Sequence, residues 1–154
     1  MIISEKIVRE AIELVNPTAE AILVAEGATW GPRWVEGFIS VPGLPDIPFL
    51  FGQKTEWNPE WGEELDFISV AKAKLWVAKR LRMNTSVVAV TCPWLLLPGE
   101  YLYPGGAYRD GIVCGVSGAK GRVDEALAEM VVSIIIMLAQ LETDRRIAAK
   151  KMQI

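Results

Sequence analysis

The sequence predicts an α/β fold in which helices pack against a central sheet. Two segments carry apolar residues at helical spacing, one near the N-terminus and one in the middle of the chain. A third helix follows a strand and a glycine-rich turn in the C-terminal third. The chain has 154 residues, of which 51% are hydrophobic and 23% charged. It therefore has the size and composition of one folded domain with a substantial core.

Charge and composition exclude several classes of function. The net charge is −3, and no region gathers enough Lys and Arg to bind phosphates, so nucleic acid is not expected as a partner. The chain has no histidine, which excludes Ser-His-Asp and Cys-His catalysis. Two separated cysteines, Cys92 and Cys114, cannot form a structural zinc site, and the sequence predicts no metal site.

The sequence also predicts where the protein resides. Charges begin at Glu5, and the N-terminus lacks the pattern of a signal peptide. The longest apolar run, Met130–Ala139, is shorter than the roughly 20 residues that span a bilayer. We therefore expect a cytoplasmic protein with no membrane partner and with reduced cysteines.

The N-terminal third is predicted as a helix followed by two strands. Ser4 can cap a helix that runs to about Val15, and Asn16-Pro17-Thr18 is expected to end it. The apolar run Ala21–Ala25 is typical of a buried strand, and Trp34–Val41 alternates as a second strand does. The segment that follows, about residues 42–61, is rich in proline and tryptophan and is predicted to be an irregular insertion.

Aromatic residues bracket this insertion. They are Trp30, Trp34, Phe49, Phe51, Trp57 and Trp61. We favour the interpretation that these rings anchor the segment to the core. The alternatives are a wall of a ligand pocket or an interface between subunits.

The segment Glu63–Met83 is predicted to be a helix, with one charged residue on its buried face. At 100° per residue, an apolar arc contains Phe67, Val70, Ala71, Val77, Ala78 and Leu81. Lys74 falls in the middle of that arc. Its side chain either extends past the edge of the core or directs its ammonium into a cavity. After this helix, Val87–Leu97 is densely apolar; its composition fits a strand up to Cys92.

The stretch Pro104–Glu129 combines a strand, a glycine-rich turn and a helix start. A strand is predicted over Ala107–Val116, and the final helix over Val123–Gln140, or as far as Lys150. Backbone N–H groups at such a helix start favour an anion, and Lys120 and Arg122 add positive charge there. Because the final helix is apolar on most sides, we expect a sheet on one side and another subunit on the other.

The same stretch resembles the C-terminal signature of the GlcG/HbpS family of haem-binding or haem-degrading domains. The matching string is PGG…DGIVCGVSG…VDEALA, which places Pro104, Gly105, Gly106, Gly111, Gly115–Gly118, Asp124 and Ala128 on the family pattern. On the preceding helix, Ala71 and Lys74 match the family's alanine and lysine, whereas Trp76 and Val77 replace its small or hydroxyl residues. The resemblance favours a cavity-facing Lys74 and allows a short helical turn near residue 87.

The resemblance implies a fold, an assembly and a ligand. The fold is a profilin-like α/β sandwich with an antiparallel central sheet, formed by a single domain over residues 1–154 and assembled as a hexamer or octamer. The ligand is haem, another tetrapyrrole or a small carboxylate, bound near the signature. The residues expected to bind it are Lys74, Gly105, Gly106, Arg109, Ser117, Gly118, Lys120 and Arg122. The glycines are included for backbone geometry, since they allow positive φ or close approach.

Two other functions are compatible with the residues. In an enzyme of small organic acid catabolism, Lys74 would act in electrostatic or acid–base chemistry and Arg109 as a carboxylate clamp, with Ser117 and Asp124 as further candidate residues. Each has a structural alternative: Asp124 can complement the helix dipole, Ser117 can cap the helix and Arg109 can be solvated. The third function is assembly alone. For haem, the iron ligand must come from Cys92, Cys114, Tyr101, Tyr103 or a methionine, because histidine is absent.

Overall fold

The computed structural model describes residues 1–25, 31–100 and 103–152. In chain order its helices and strands are α1 (Glu5–Ala25), β1 (Trp34–Ser40), β2 (Ile47–Gly52), α2 (Phe67–Leu81), α3 (Thr85–Thr91), β3 (Gly106–Arg109), β4 (Ile112–Ser117) and α4 (Gly121–Met152). Short 3₁₀ turns occur at Pro59–Trp61 and Pro93–Leu95.

The described strands form one antiparallel sheet in the order β2-β1-β4-β3. Helices α1 and α4 pack against each other and cover one face, and α2 covers the other. The main core lies between the sheet and the α1–α4 layer. A smaller cluster of Leu75, Ala78 and Val113 joins α2 to the opposite face. The predicted fold class, an antiparallel sheet with helices packed against it, is confirmed.

Helix α1 corrects the prediction for the N-terminal third. It continues through Pro17 to Ala25, so the predicted helix end at Asn16-Pro17-Thr18 and the predicted strand Ala21–Ala25 are both wrong. Proline inside a helix costs roughly 3 kcal/mol. Burial offsets this cost, because Ala19 and Leu23 continue the stripe of Ala11 and Val15 at helical spacing and are equally buried.

The proline- and tryptophan-rich segment is more regular than predicted. Strand Trp34–Ser40 is confirmed within one residue, but a second strand, β2, lies inside the predicted irregular region and pairs with β1 from Ile47 to Gly52. Pro48 does not prevent this, since β2 is an edge strand. Ile47, Phe49 and Phe51 are buried, and they alternate with more exposed residues along the strand. Only the remainder of the segment is irregular.

The predicted strand Ala107–Val116 is a hairpin. It bends at Asp110 and Gly111, both of which have positive φ, +52° and +83°. Two successive positive φ values define the tight turn that matches the twist of antiparallel strands. The two arms, β3 and β4, pair from Gly106 with Gly115 to Arg109 with Ile112.

Helix α3 replaces the strand that composition alone favoured between residues 87 and 92. The cap residue and the first residue of α3 cover the free edge of β3: Asn84 Oδ1 accepts the N–H of Tyr108 at 2.9 Å, and Thr85 Oγ1 accepts that of Gly106 at 3.0 Å. The carboxylate of Glu125 on α4 accepts the N–H and hydroxyl of Ser86. These bonds stabilise a helix here, as the resemblance allowed, and protect an edge strand from pairing with other chains.

Helix α2 lies unusually close to β3 and β4. It begins at Phe67 rather than Glu63, because Asp66 caps it through the N–H of Ser69 at 3.1 Å. A Cβ on Gly115 would lie 2.2 Å from the carbonyl oxygen of Ala71, and one on Gly106 would lie 2.6 Å from that of Lys74. These two glycines face each other across the ladder. Their lack of side chains brings the Lys74 backbone against the sheet.

Helix α4 is the longest element and begins two residues before its predicted start. By length and composition, residues 121–150 could cross a membrane. In this fold, however, the helix packs its apolar side against the sheet and α1. The buried residues that do so are Leu127, Ala128, Val131, Val132, Ile135, Ile136 and Ala139. Met137 and Leu141 are exposed on the opposite side, so α4 is a core helix within the described residues.

Candidate ligand pocket

A buried ion pair lies where α2, the end of β4 and the start of α4 meet. Lys74 is 3% exposed and Asp124 is 1% exposed. Lys74 Nζ lies 3.1 Å from Asp124 Oδ2 and donates a second bond to the carbonyl of Val116, also at 3.1 Å. Lys74 therefore does not extend past the edge of the core. Its charge is retained inside the protein by a carboxylate and a backbone carbonyl.

Asp124 occupies the anion-binding position that the glycine-rich turn predicts. Its Oδ1 accepts the N–H of Ala119 at 2.9 Å, and the N–H of Gly118 also bonds to its carboxylate. Together with Lys74, these donors surround one carboxylate in the first turn of α4. The helix start thus binds an internal anion, and an external carboxylate would have to compete with Asp124 for Lys74.

Burial shifts the protonation of Asp124. Desolvation raises the pKa of Asp124 to about 6, and the attraction of Lys74 and the Ala119 N–H only partly counteract it. The carboxylate is therefore mostly ionised at neutral pH, and it becomes protonated in mildly acidic solution. Protonation of Asp124 would free the Lys74 ammonium from its partner.

This shift predicts how stability depends on pH. The native state binds the Asp124 proton up to a pKa of about 6, whereas an unfolded aspartate releases it near 3.9. The contribution of this group is therefore complete below about pH 4 and is lost as pH rises through 6, at a total on the order of 3 kcal/mol. We expect the urea midpoint of the wild type to fall more between pH 4.5 and 7.5 than that of Asp124→Asn. Equal slopes in both proteins would contradict the shift.

Two signature glycines with positive φ lie beside the pair; Gly105 makes room for Lys74, and Gly118 allows close approach to β1. Gly105 has φ +139°, and a Cβ there would lie 2.7 Å from Lys74 Nζ. Gly118 has φ +140°, and a Cβ there would lie 2.5 Å from the carbonyl oxygen of Trp34. The prediction that the signature glycines serve backbone geometry is confirmed for these residues and for Gly106 and Gly115.

A pocket of about 460 Å³ opens next to the ion pair. Its walls are apolar. Leu65, Phe67 and Val70 come from the residues before and within the first turns of α2, and Tyr103 comes from the loop before β3. Its polar surface comes from Lys74, Asp124, Ser117 and the backbone of Gly118, Ala119 and Gly121. The pocket can hold an apolar molecule against a floor that has hydrogen-bonding groups but little net charge.

The structure does not bring Arg109 to this pocket. Arg109 pairs with Ile112 at the hairpin turn, whereas Ser117 ends the same strand at the pocket. Five residues of strand separate Ile112 from Ser117, about 17 Å. The Arg109 side chain is mostly exposed and lies 4.0 Å from Asp110. It cannot clamp a carboxylate held at Lys74.

Lys120 and Arg122 flank the pocket without lining it. Both side chains are exposed at the start of α4. Arg122 lines a separate depression beside α3 together with Pro104. Lys120, which lies between the lining residues Ala119 and Gly121, can contribute positive charge at the edge of the pocket, whereas Arg122 belongs to the neighbouring depression.

Cys92 and Cys114, two of the candidate iron ligands, do not line the pocket. Cys114 is buried in the core on the α1–α4 face of the sheet, and burial raises the pKa of its thiol. Cys92 packs with Val77 and Val88 between α2 and α3. Tyr103 is the described side chain of this group that lines the pocket. Tyr101, predicted to share a face with Tyr103, lies outside the described residues.

Sequence reasoning missed the apolar walls of the pocket. Phe67, Val70 and Lys74 lie on one face of α2 at spacings of three and four residues, so the position of Lys74 already pointed to its neighbours. Leu65 precedes the helix and carried no such signal. The role of Asp124 as the partner of Lys74 was also missed, because 50 residues separate the two in sequence.

Comparisons with known proteins agree with the resemblance seen in the sequence. No family model and no curated protein matches the chain. A double mutant of HbpS from Streptomyces reticuli superimposes with a TM-score of 0.59 at 19% identity, covering 87% of each chain. A haem complex of PduOC has a TM-score of 0.56 at 16% identity, covering 87% of this chain and 95% of that one. A second HbpS structure gives 0.53 at 21%, covering 81% and 86%.

The fold of this chain is therefore the α/β fold of HbpS and PduOC. The GlcG/HbpS-like resemblance is confirmed at the level of that fold. On this fold, the candidate site of the chain consists of the buried Lys74–Asp124 pair and the apolar pocket beside it.

Proposed function

We propose that this chain is a small-ligand-binding protein whose pocket lies beside the Lys74–Asp124 pair. The observation that carries the proposal is an apolar cavity of about 460 Å³ that ends on buried polar groups. Such a combination is typical of ligand sites, where apolar walls supply affinity and a few polar groups fix orientation. A purely structural ion pair would not need an adjoining cavity.

Haem or another tetrapyrrole is the ligand class that we place first. The pocket walls, Phe67, Val70 and Tyr103, suit a planar apolar molecule. Haem, when bound, would supply an iron centre, and Tyr103 is the described pocket residue with an iron-ligating oxygen. Lys120 is exposed between Ala119 and Gly121, which both line the pocket, and its ammonium suits a propionate. The fold shared with a haem complex of PduOC supports the same choice.

A small carboxylate is the second ligand class. It could bind Lys74 only by displacing Asp124 or after Asp124 is protonated, since the two side chains are already paired at 3.1 Å. Because the pKa of Asp124 is about 6, such a ligand would bind more tightly at pH 5 than at pH 8. Haem held by the apolar walls would not show this dependence.

The enzymatic alternative has less support. Lys74 and Asp124 are both buried, and the pKa of Asp124 is perturbed, as is common for acid–base groups. However, Arg109, the expected carboxylate clamp, lies at the other end of β4. The pair can exchange a proton with a bound molecule, yet no described residue completes a clamp for it. We therefore place binding before catalysis.

Titration with haemin and with iron-free protoporphyrin tests the proposal. We expect both to bind with one-to-one stoichiometry. Soret absorption detects haemin binding, and quenching of tryptophan fluorescence detects protoporphyrin binding. In Tyr103→Phe, protoporphyrin binding should be retained, whereas haemin affinity should fall about tenfold and its Soret band should move. If neither tetrapyrrole saturates the protein at micromolar concentration, the tetrapyrrole proposal fails, and the carboxylate class remains to be tested at pH 5 and pH 8.

We propose that the protein is a cytoplasmic homo-oligomer, a hexamer or octamer by the resemblance. Apolar side chains on α3 and the turn after it are exposed, as an interface between copies requires: Val87, Val90, Trp94, Leu95 and Leu97. Light scattering should give a mass that is six or eight times the 17.0 kDa of the chain. The mass of a monomer at high protein concentration would contradict the proposed oligomer.

A further inference from the structure

A second cavity lies beside the ligand pocket, and aromatic and acidic side chains line it. It is formed by β1, the segment before α2 and the first turn of α2, and its volume is about 340 Å³. It shares Leu65 and Phe67 with the ligand pocket but contains neither Lys74 nor Asp124. It is therefore a separate cavity with its own ligand requirements.

Aromatic rings form one wall of this second cavity. Trp34, Trp61, Trp57 and Phe67 pack in a closed cycle, with successive centroid distances of 6.0, 5.3, 5.9 and 5.7 Å. Three of them, Trp34, Trp57 and Phe67, line the cavity. Ring faces attract cations, indole most strongly. Because each ring is held by two others, the wall is preformed.

The polar wall of the cavity carries excess negative charge. Glu36, Glu64 and Asp66 line it against a single ammonium, that of Lys54, which lies 3.1 Å from Glu36. The hydrogen bonds from Ser69 hold the pKa of Asp66 below its usual value, so it stays ionised. Glu64 makes no hydrogen bond or ion pair with the rest of the described chain. The three carboxylates and one ammonium give this lining a net charge of −2, and Lys72, outside the lining, also attracts the Asp66 carboxylate.

We infer that this cavity binds a small organic ammonium ion. The aromatic wall accepts the alkylated nitrogen, and Glu64 and Asp66 balance its charge. A bare metal ion is disfavoured, because the described residues contain no group of three or more His, Cys, Asp or Glu side chains placed to hold one. This inference does not depend on the ligand of the first pocket.

The test uses choline as the probe and its uncharged isostere, in which carbon replaces the quaternary nitrogen, as the matched ligand. In a ¹H–¹⁵N spectrum, choline should move the indole signal of Trp34, identified by its loss in Trp34→Phe. The isostere should bind at least tenfold more weakly, because only the cation interacts with the rings and the carboxylates. Equal binding of the two ligands, or no shift with tens of millimolar choline, would overturn the inference.

Two isosteric variants separate the cavity from general surface charge. Glu64→Gln removes a cavity carboxylate that has no partner among the described residues, so folding should be unaffected. Glu60→Gln removes an exposed carboxylate from the same segment outside the cavity lining. We expect choline affinity to fall about fivefold in Glu64→Gln and to stay unchanged in Glu60→Gln. Equal affinities in the two variants would contradict a site at this cavity.

Discussion

Lys74→Met is expected to destabilise the protein by about 3–5 kcal/mol at neutral pH. The variant leaves the buried Asp124 carboxyl without its ammonium partner, and its pKa rises further because Lys74 no longer lowers it. The folded protein then carries either an uncompensated buried charge or a proton taken up at neutral pH, and breaking a buried ion pair in this way has a cost of this size. Methionine keeps the length and volume of the stem, so the loss is electrostatic rather than a cavity. Urea unfolding at pH 7.5 measures it.

Two further variants make the Lys74 prediction specific. Lys72→Met on the same helix removes an exposed lysine that lies 4.9 Å from the Phe38 ring, and it should cost less than about 1 kcal/mol. In the double variant Lys74→Met/Asp124→Asn, the amide oxygen can still accept the Ala119 N–H without a buried charge. Much of the lost stability should return. A Lys74→Met protein as stable as Lys72→Met would show that the pair is not buried.

Gly115→Ala is expected to cost about 3 kcal/mol by forcing α2 away from the sheet. The new methyl group would lie 2.2 Å from the carbonyl oxygen of Ala71, a backbone atom that cannot rotate away. Overpacking of this kind costs about 1–3 kcal/mol, and more where the backbone must move. Because Lys74 lies one turn further along α2, the pocket should also be disturbed. Ligand affinity and the urea midpoint should fall together.

The matched control for Gly115→Ala is Gly43→Ala. Gly43 has φ +86°, and a Cβ there would meet no atom within 4 Å, so the change adds backbone strain alone. That cost is about 1 kcal/mol. If Gly115→Ala proves no more harmful than Gly43→Ala, helix α2 does not approach β4 as closely as the structure indicates.

The sequence predicts the layers of the fold better than the strand and helix boundaries. Apolar periodicity identifies α2 and α4, and alternation identifies β1, because those patterns directly reflect burial on one face. The predicted break of α1 at Pro17 is wrong, since the local preference of proline is outweighed by the continuing stripe of Ala19 and Leu23. The dipeptide Asp110-Gly111 favours a hairpin turn, but the prediction placed it inside one continuous strand.

The candidate site is only partly predictable, for a physical reason. The inward position of Lys74 on its helix can be derived from spacing, and the glycine-rich turn from composition. The partner of Lys74 cannot, because the contact with Asp124 joins residues far apart in sequence. Arg109 was predicted to belong to the site because it lies in the same stretch of sequence as the signature. The hairpin turn, however, places it at the opposite end of β4.

The most direct measurement of the central proposal is haemin affinity in a pair of valine variants. Val70→Phe would fill the pocket beside Lys74, whereas Val24→Phe adds the same group to an exposed position on α1, on the other side of the sheet. Both proteins should remain folded, as judged by their unfolding transitions. The account predicts at least tenfold weaker Soret-detected binding in Val70→Phe and wild-type binding in Val24→Phe. Equal haemin affinity in the two variants would show that the pocket beside the Lys74–Asp124 pair does not bind it.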